Sequence, residues 1–293
     1  MTSPRPAVTG GVSERFQTYG SLRTRVLSVP GKGIPILLLH GFADSADTWR
    51  GVLGALAAAN RPALAVDMAG FGAAEPFTPG PLLPQLDAFA DAVLAATGPA
   101  VLVGNSLGVA VSLRAAQRNP ALVRGIVCLD EPILSNDWLA RLSRSRVAPF
   151  AGALLYRVWL PTPLVRLGIS IATRFLWGDP RKADRVLVAG WVEKYGRRAA
   201  VAWLADYAVR FARETVDGYS ADPITCPVRI VHGAKDRIIP VQAGRDLQRR
   251  LPGSELVVLP HAGHCPQRDD PVEIASLLTD FIDNRLSAQR DVS

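Results

Sequence analysis

The pentapeptide Gly104-Asn105-Ser106-Leu107-Gly108 decides the fold of this chain, because it separates a strand-like run from a helix-like run. Residues 99–103 before it are apolar and include two β-branched valines, as in a strand covered on both faces. Residues 109–117 after it carry apolar side chains at helical spacing. The flanking glycines remove Cβ atoms that would collide at a sharp corner. The pattern predicts a strained, displayed serine at a helix start, where backbone N–H groups favour an oxyanion.

A nucleophilic serine requires a histidine base and a carboxylate that orients the base. Of the four histidines, His264 has the favoured position, in a loop between a strand-like run and the terminal helix. Asp236 lies just beyond another buried-strand run and is free to reach that loop. Asp130, which follows the run 125–129, is a rival acid, although it adjoins Glu131 and could simply start the next segment. We therefore predict that Ser106, Asp236 and His264 act as nucleophile, acid and base, in that chain order.

This order, with the corner serine and alternating strands and helices, resembles the α/β-hydrolase superfamily over about residues 16–286. The resemblance implies an α/β fold with a mostly parallel central sheet flanked by helices and an inserted helical cap. It also implies an oxyanion hole made by the backbone N–H groups of Leu107 and Phe42, the latter following the dipeptide His40-Gly41. Asp67 is expected to anchor backbone amides in a loop beside the site.

Elsewhere the chain alternates strand-like and helix-like runs. The strand-like runs are residues 22–29, 34–39, 63–66, 100–103, 125–129, 228–231 and 255–259. The helix-like runs are residues 47–59, 82–96, 106–117, 241–251 and 271–286. The alternation stops between Glu131 and Asp217, so we predict a core of residues 12–130 and 218–286 with a helical cap insertion over 131–217.

Two segments resemble cofactor or metal sites, but the residues around them do not fit such a site. Residues 70–75 begin like a dinucleotide fingerprint, but Glu75-Pro76 stands where the helix that binds pyrophosphate should open. His261 and His264 are three residues apart, yet the further ligands that zinc requires do not accompany them. The sequence therefore predicts neither a nucleotide cofactor nor a metal.

Composition is that of one enzyme-sized globular unit: 293 residues, 48% hydrophobic and 20% charged. The first eleven residues lack the apolar stretch of a secretory signal, and three cysteines give no disulfide framework. We therefore expect a cytoplasmic protein. The oligomeric state is left open.

The predicted cap is rich in tryptophan and in positive charge. It holds five of the six tryptophans, and 14 Lys and Arg against 8 Asp and Glu. We expect an apolar pocket for a small hydrophobic substrate, lined by Trp138, Phe150, Tyr156 and Trp159. The arginines interleaved with apolar residues (Arg157, Arg166, Arg174) are expected to form a solvated face; the alternatives are a weak contact with an anionic membrane surface or with an acidic substrate. No recognition motif accompanies the basic excess, which argues against nucleic-acid binding.

The sequence thus predicts a serine hydrolase that cleaves carboxylic esters of hydrophobic acyl or aromatic substrates through an acyl-enzyme. One alternative is a carbon–carbon bond hydrolase of ring-cleavage products, because bacterial enzymes of that group share the Gly-Asn-Ser elbow and a helical cap. Against it, the loop beginning at His40 lacks that group's glycine run, and Cys265 replaces the tryptophan that usually follows the base. A second alternative is a non-catalytic small-molecule receptor on the same fold.

Overall fold

The computed structural model describes residues 8–9, 11–132, 161–215, 217 and 223–286. Within these residues nine strands form one sheet in the order β1-β2-β3-β5-β4-β6-β7-β8-β9. The strands are β1 (Val8–Thr9), β2 (Val12–Tyr19), β3 (Leu22–Val29), β4 (Ile36–Leu39), β5 (Ala63–Val66), β6 (Ala100–Asn105), β7 (Val123–Leu129), β8 (Val228–Gly233) and β9 (Glu255–Leu259).

The sheet is parallel from β5 to β9 and antiparallel at the edge formed by β1, β2 and β3. Parallel strands end at the same side of a sheet, and ligand sites of such sheets lie beyond those carboxyl ends. The segments that follow β4, β6, β7, β8 and β9 therefore meet along one rim. These segments carry the residues proposed for chemistry.

Helices cover both faces of the core sheet. They are α1 (Arg50–Ala58), α2 (Leu82–Thr97), α3 (Leu107–Arg118), α7 (Gln242–Arg250), α8 (Pro266–Asp269) and α9 (Pro271–Asp280), followed by a π-helical turn (Phe281–Leu286). Along β4, Leu37 and Leu39 join one apolar core with α2 and α3, whereas Ile36 and Leu38 join the other with α1 and α9. This two-sided burial is why the central strands read as continuous apolar runs.

The predicted fold class is confirmed, and each of the seven strand-like runs contains a strand. The prediction missed β1 and β2. The strand β2 is interleaved with polar residues such as Glu14, Arg15 and Gln17, and only its two end residues are buried. A strand near a sheet edge needs no continuous apolar run, so its pattern did not stand out.

Between β7 and β8 the described residues form helices and no strand. They are α4 (Thr162–Arg174), a 3₁₀ turn (Pro180–Lys182), α5 (Arg185–Tyr195) and α6 (Arg198–Glu214). These helices fall in the stretch predicted to be a cap, which we call the insertion (residues 131–217). Its exact bounds stay a prediction. None of the helices that the structure describes is long and apolar enough to cross a membrane.

Candidate active site

Ser106 stands at the corner between β6 and α3 with φ 51° and ψ −114°. A non-glycine residue held in such a sparsely populated region costs about 1–3 kcal/mol, and strain of this kind clusters at functional sites. The helix begins at the next residue, Leu107, and the first N–H groups of a helix have no partner within it. The corner therefore brings a hydroxyl together with backbone donors.

The two glycines of the pentapeptide make this corner sterically feasible. A Cβ at Gly108 would lie 2.2 Å from the carbonyl oxygen of Leu39, at the end of the neighbouring strand. A Cβ at Gly104 would lie 2.2 Å from the backbone of Gly108. The predicted collision with a neighbouring strand is thus confirmed for Gly108, whereas Gly104 is required by the first turn of α3.

His264 and Asp236 are directly hydrogen-bonded. The Nδ1–Oδ2 distance is 2.7 Å, and both side chains are buried. The other oxygen of Asp236 accepts from the backbone N–H groups of Ile238 at 2.7 Å and Ile239 at 2.9 Å. Burial alone would raise the pKa of Asp236, but His264 and the backbone donors bring it below its ordinary value. An ionised Asp236 assigns the imidazole proton to Nδ1 and leaves Nε2 able to accept another.

Asn105 ties the serine corner to the His264 loop. Its Nδ2 donates to the carbonyl oxygen of His264 at 2.9 Å and to that of Leu129 at 3.3 Å. Its Oδ1 accepts from Nε2 of Gln267 at 3.1 Å. Sequence reasoning assigned Asn105 and Gln267 no role of their own. The only sequence sign of this link is a polar side chain that ends an apolar strand.

The loop after β4 lies against the serine. A Cβ at Gly41 would be 3.4 Å from the Cβ of Ser106, so Gly41 contacts the corner. Phe42 directly follows Gly41 in the chain. His40 braces this loop: Nε2 accepts from the N–H of Met68 at 2.9 Å, so Nδ1 carries the proton and donates to the carbonyl oxygen of Gly41 at 2.7 Å. Burial lowers the pKa of His40, which is consistent with a neutral ring.

Asp67 anchors backbone amides beside the site, as the sequence predicted. Its Oδ1 accepts from the N–H of Ala46 at 2.6 Å, and its Oδ2 accepts from the N–H of Ala73 at 2.7 Å. Arg25 pairs with the same carboxylate at 2.9 Å. Two loops that border the active-site rim are thereby joined through one buried carboxylate.

An aromatic cluster extends from the loop of Phe42 to the insertion. The Tyr207 ring on α6 lies 5.1 Å from Phe42, 4.9 Å from Phe71 and 5.4 Å from Phe77, and Trp203 adds a ring 5.7 Å from Phe71. The core therefore contributes three rings to this cluster and the insertion contributes two. The predicted pocket residues Trp138, Phe150, Tyr156 and Trp159 lie outside the described residues.

The insertion also packs on the loop that carries His264. The carbonyl oxygen of Leu176 accepts from the N–H of Cys265 at 3.1 Å. A Cβ at Gly178 would lie only 1.9 Å from the carbonyl oxygen of His261, so the two backbones are in close contact. The base loop is therefore held by this junction as well as by Asn105.

Arg268 occupies the centre of the same junction. The guanidinium lies 5.3 Å from the ring of Trp177 and 4.8 Å from that of Trp191, both in the insertion. It pairs with Asp44 at 2.5 Å, and its Nε donates to the hydroxyl of Thr48 at 2.7 Å. One buried cation thus connects the insertion, the helix after His264 and the loop after Phe42, a link that the sequence reasoning missed.

Two groups of described residues have the spacing of metal ligands, Asp130 with His232 and Asp236, and His261 with Asp270 and Glu273. In the first group, the carboxylates already accept hydrogen bonds from protein donors. Asp236 accepts from His264, while Asp130 accepts from the N–H of Gly233 at 3.0 Å. In the second, Asp270 caps α9 by accepting from the N–H of Glu273. The rival acid Asp130 therefore lies beside Asp236, but the structure pairs His264 with Asp236.

The model of the Alpha/beta hydrolase family matches residues 36–277. A 2-hydroxy-6-oxo-6-(2'-aminophenyl)hexa-2,4-dienoic acid hydrolase of Metapseudomonas resinovorans is 27% identical and covers 94% of this chain and 93% of its own length. A pimeloyl-[acyl-carrier protein] methyl ester esterase of Neisseria meningitidis is 30% identical and covers 88% of this chain and 80% of its own length.

A solved structure similar to this fold is that of a serine hydrolase involved in carbazole degradation. The TM-score is 0.71 at 23% identity, and the match covers 92% of this chain and 98% of the other. At this identity the likeness is one of fold.

Proposed function

Because this chain belongs to the alpha/beta hydrolase family, we propose that it is a serine hydrolase that cleaves carboxylic esters of hydrophobic acyl or aromatic substrates. One observation carries the proposal. The strained corner at Ser106 lies on the same rim as a histidine whose Nδ1 is 2.7 Å from a buried carboxylate. Nucleophilic catalysis by serine requires this combination of a displayed hydroxyl, a base and an acid that orients the base.

In the proposed reaction Nε2 of His264 takes the proton of Ser106 as Oγ attacks the ester carbonyl. Asp236 holds the ring and stabilises the imidazolium. The backbone N–H groups of Leu107 and Phe42 then donate to the tetrahedral oxyanion; loss of one such donor typically costs about 10²–10³ in kcat. His264 returns its proton to the leaving alkoxide, and water, activated by the same base, hydrolyses the acyl-enzyme.

The aromatic cluster supports a hydrophobic substrate. Phe42 is at once a proposed oxyanion donor through its backbone and a member of that cluster through its ring. A group that enters beside the oxyanion hole would therefore meet aromatic carbon rather than charge. Apolar and aromatic linings of this kind favour acyl or aryl groups over sugars and peptides.

Labelling with a fluorophosphonate probe tests the proposal. A base-activated serine beside an oxyanion hole attacks phosphorus as it attacks a carbonyl, so the probe should modify Ser106, as located by peptide mass spectrometry. The Ser106→Ala variant is the control and should stay unlabelled. A folded wild-type protein that takes no label would remove the main support for esterase activity and favour the receptor alternative.

Carbon–carbon bond hydrolysis is the second candidate. The similarity to the dienoic acid hydrolase of Metapseudomonas resinovorans, over nearly the full length of both chains, favours it. Cys265 does not supply a competing nucleophile, because burial raises the pKa of its thiol well above the ordinary value. Turnover of a 2-hydroxy-6-oxo-dienoic acid that exceeds turnover of every aryl and alkyl ester tested would select this candidate.

A further inference from the structure

A second buried carboxyl, Asp130, lies directly behind the acid of the proposed triad. Asp130 follows β7 with φ 54°, an uncommon backbone for a non-glycine residue, and its N–H donates to the carbonyl oxygen of Val231 on β8 at 3.0 Å. The residue is fully buried. One carboxyl oxygen of Asp130 lies within 4.8 Å of a carboxyl oxygen of Asp236 and of a ring nitrogen of His232.

The hydrogen-bond partners of the two carboxyls are unequal. Asp236 accepts from two backbone N–H groups and from His264. Asp130 accepts one backbone N–H through Oδ1, from Gly233, and its buried Oδ2 receives no hydrogen bond from a donor among the described residues. Two adjacent buried carboxyls cannot both ionise, and the one with more donors keeps the charge. The proton of the pair therefore belongs on Asp130.

The other titratable groups around Asp130 do not supply a compensating cation. On β8, Nε2 of His232 donates to the carbonyl oxygen of Ile239 at 3.0 Å and lies 3.4 Å from Oδ1 of Asp130. Nδ1 of the ring has no hydrogen-bond partner among the described residues, and burial lowers the pKa of His232, so we take the ring as neutral. Beyond β9, Cys265 is a buried thiol and Asp269 on α8 adds a further carboxyl. Burial first, and then the neighbouring Asp236, raise the pKa of Asp130 well above its ordinary value.

We propose that Asp130 is a positioning residue, a neutral carboxylic acid whose Oδ2–H donates to the carboxylate of Asp236 and holds it in place for His264. The inference rests on the proposed function, in which His264 is the base. The hydrogen bond adds a fourth donor to Asp236. It fixes the carboxylate against rotation and disperses its negative charge, which tempers the attraction for the imidazolium.

Carbon-13 NMR tests the protonation state without any substrate. In protein labelled at the aspartate γ-carbon, the Asp130 resonance is identified by its loss in Asp130→Asn. Near neutral pH we expect the chemical shift of a neutral acid, with no titration through the ordinary carboxyl range. A carboxylate shift at neutral pH would overturn the proposal. If wild type hydrolyses no ester, the proposed function fails while this resonance still reports on Asp130.

Kinetics with a matched pair of variants test the positioning role. Asn and Leu both branch at Cγ like Asp, but only Asn keeps a donor. Asp130→Leu should lower kcat by about ten- to hundredfold, the worth of a hydrogen bond to a charged group. It should also move the acidic limb of the kcat/KM profile to higher pH, because the undispersed charge on Asp236 stabilises the imidazolium more strongly.

Asp130→Asn should rescue much of the lost kcat and leave the acidic limb in place. If Asp130 were ionised, removal of its charge would instead shift the limb to lower pH, and that result would overturn the proposal. An equal loss of kcat in Asp130→Asn and Asp130→Leu would overturn the proposal as well. The left-handed backbone at residue 130 disfavours Leu. If Asp130→Leu does not fold, the acidic limb of the Asp130→Asn profile and the carbon-13 shift of Asp130 in the wild type decide whether Asp130 is neutral or ionised.

Discussion

Replacing Asp236 by asparagine removes one charge while keeping the shape of the side chain. The backbone N–H groups of Ile238 and Ile239 can be satisfied only by an oxygen, since the NH₂ group offers no acceptor. The amide oxygen must therefore take the position of Oδ1. The NH₂ group is then forced into the place of Oδ2, 2.7 Å from Nδ1 of His264.

An NH₂ group in that place donates to Nδ1 and so reverses the tautomer of the imidazole. The proton then resides on Nε2, and the ring cannot accept the proton of Ser106. The imidazolium formed during turnover also loses its carboxylate partner. In serine proteases with this arrangement the same exchange lowers kcat by about 10⁴. At about 1.36 kcal/mol per tenfold, the expected loss is about 5 kcal/mol of transition-state stabilisation.

The assay is kcat for a chromogenic short-chain ester near neutral pH, with unfolding measured in parallel. Asp130→Asn makes the same chemical exchange in a neighbouring buried carboxyl and is the matched comparison. It should cost far less, because Asp130 does not contact Nδ1 of His264. A greater loss in Asp130→Asn than in Asp236→Asn would move the acid to the end of β7 and refute this reasoning.

Four further predictions concern stability, each measured by chemical denaturation. Asp130 keeps in the native state a proton that the unfolded chain releases above about pH 4, so its contribution to stability should fall as pH rises, by at most about 1.4 kcal/mol per unit. The buried His40 and His232, whose pKa values are lowered, act in the opposite direction, so the test is the difference in slope between wild type and Asp130→Asn; identical slopes would contradict a raised pKa. Gly108→Ala should destabilise by about 1–3 kcal/mol through its clash with Leu39. Gly54→Ala in α1, where a Cβ meets nothing within 4 Å, should stabilise by about 0.5–1 kcal/mol. Ser106→Gly should exceed Ser106→Ala in stability by about 1 kcal/mol because glycine tolerates φ 51°; equal stabilities would argue against strain.

The sequence predicted the elements whose residues obey a local rule. Strands buried on both faces are continuous apolar runs, and the corner at Ser106 needs glycine at two defined positions. Both patterns can be recognised in a short stretch of sequence, without knowledge of the residues that pack against it. The contact between Asp236 and His264 was predicted because Asp236 lies just beyond a buried-strand run and is free to reach the loop of His264.

The remaining contacts join residues that are far apart in the chain and have no shared pattern. Asn105 bonds to a residue 159 positions away, and Arg268 to one 224 positions away. Nothing local distinguishes these side chains from ordinary polar residues. The aromatic pocket predicted from the insertion falls on residues outside the described ones and stays a prediction, whereas the cluster in which Phe42, Phe71 and Phe77 surround Tyr207 was not predicted.

The packing of Leu176 and Gly178 against residues 261–265 bears on how this insertion could be exchanged between relatives. A chimera that replaced the whole of it would remove the acceptor for the N–H of Cys265 and the two rings that cover Arg268. A graft must therefore keep Leu176, Trp177, Gly178 and Trp191. Exchange of the rest of the insertion would leave these supports of the His264 loop in place.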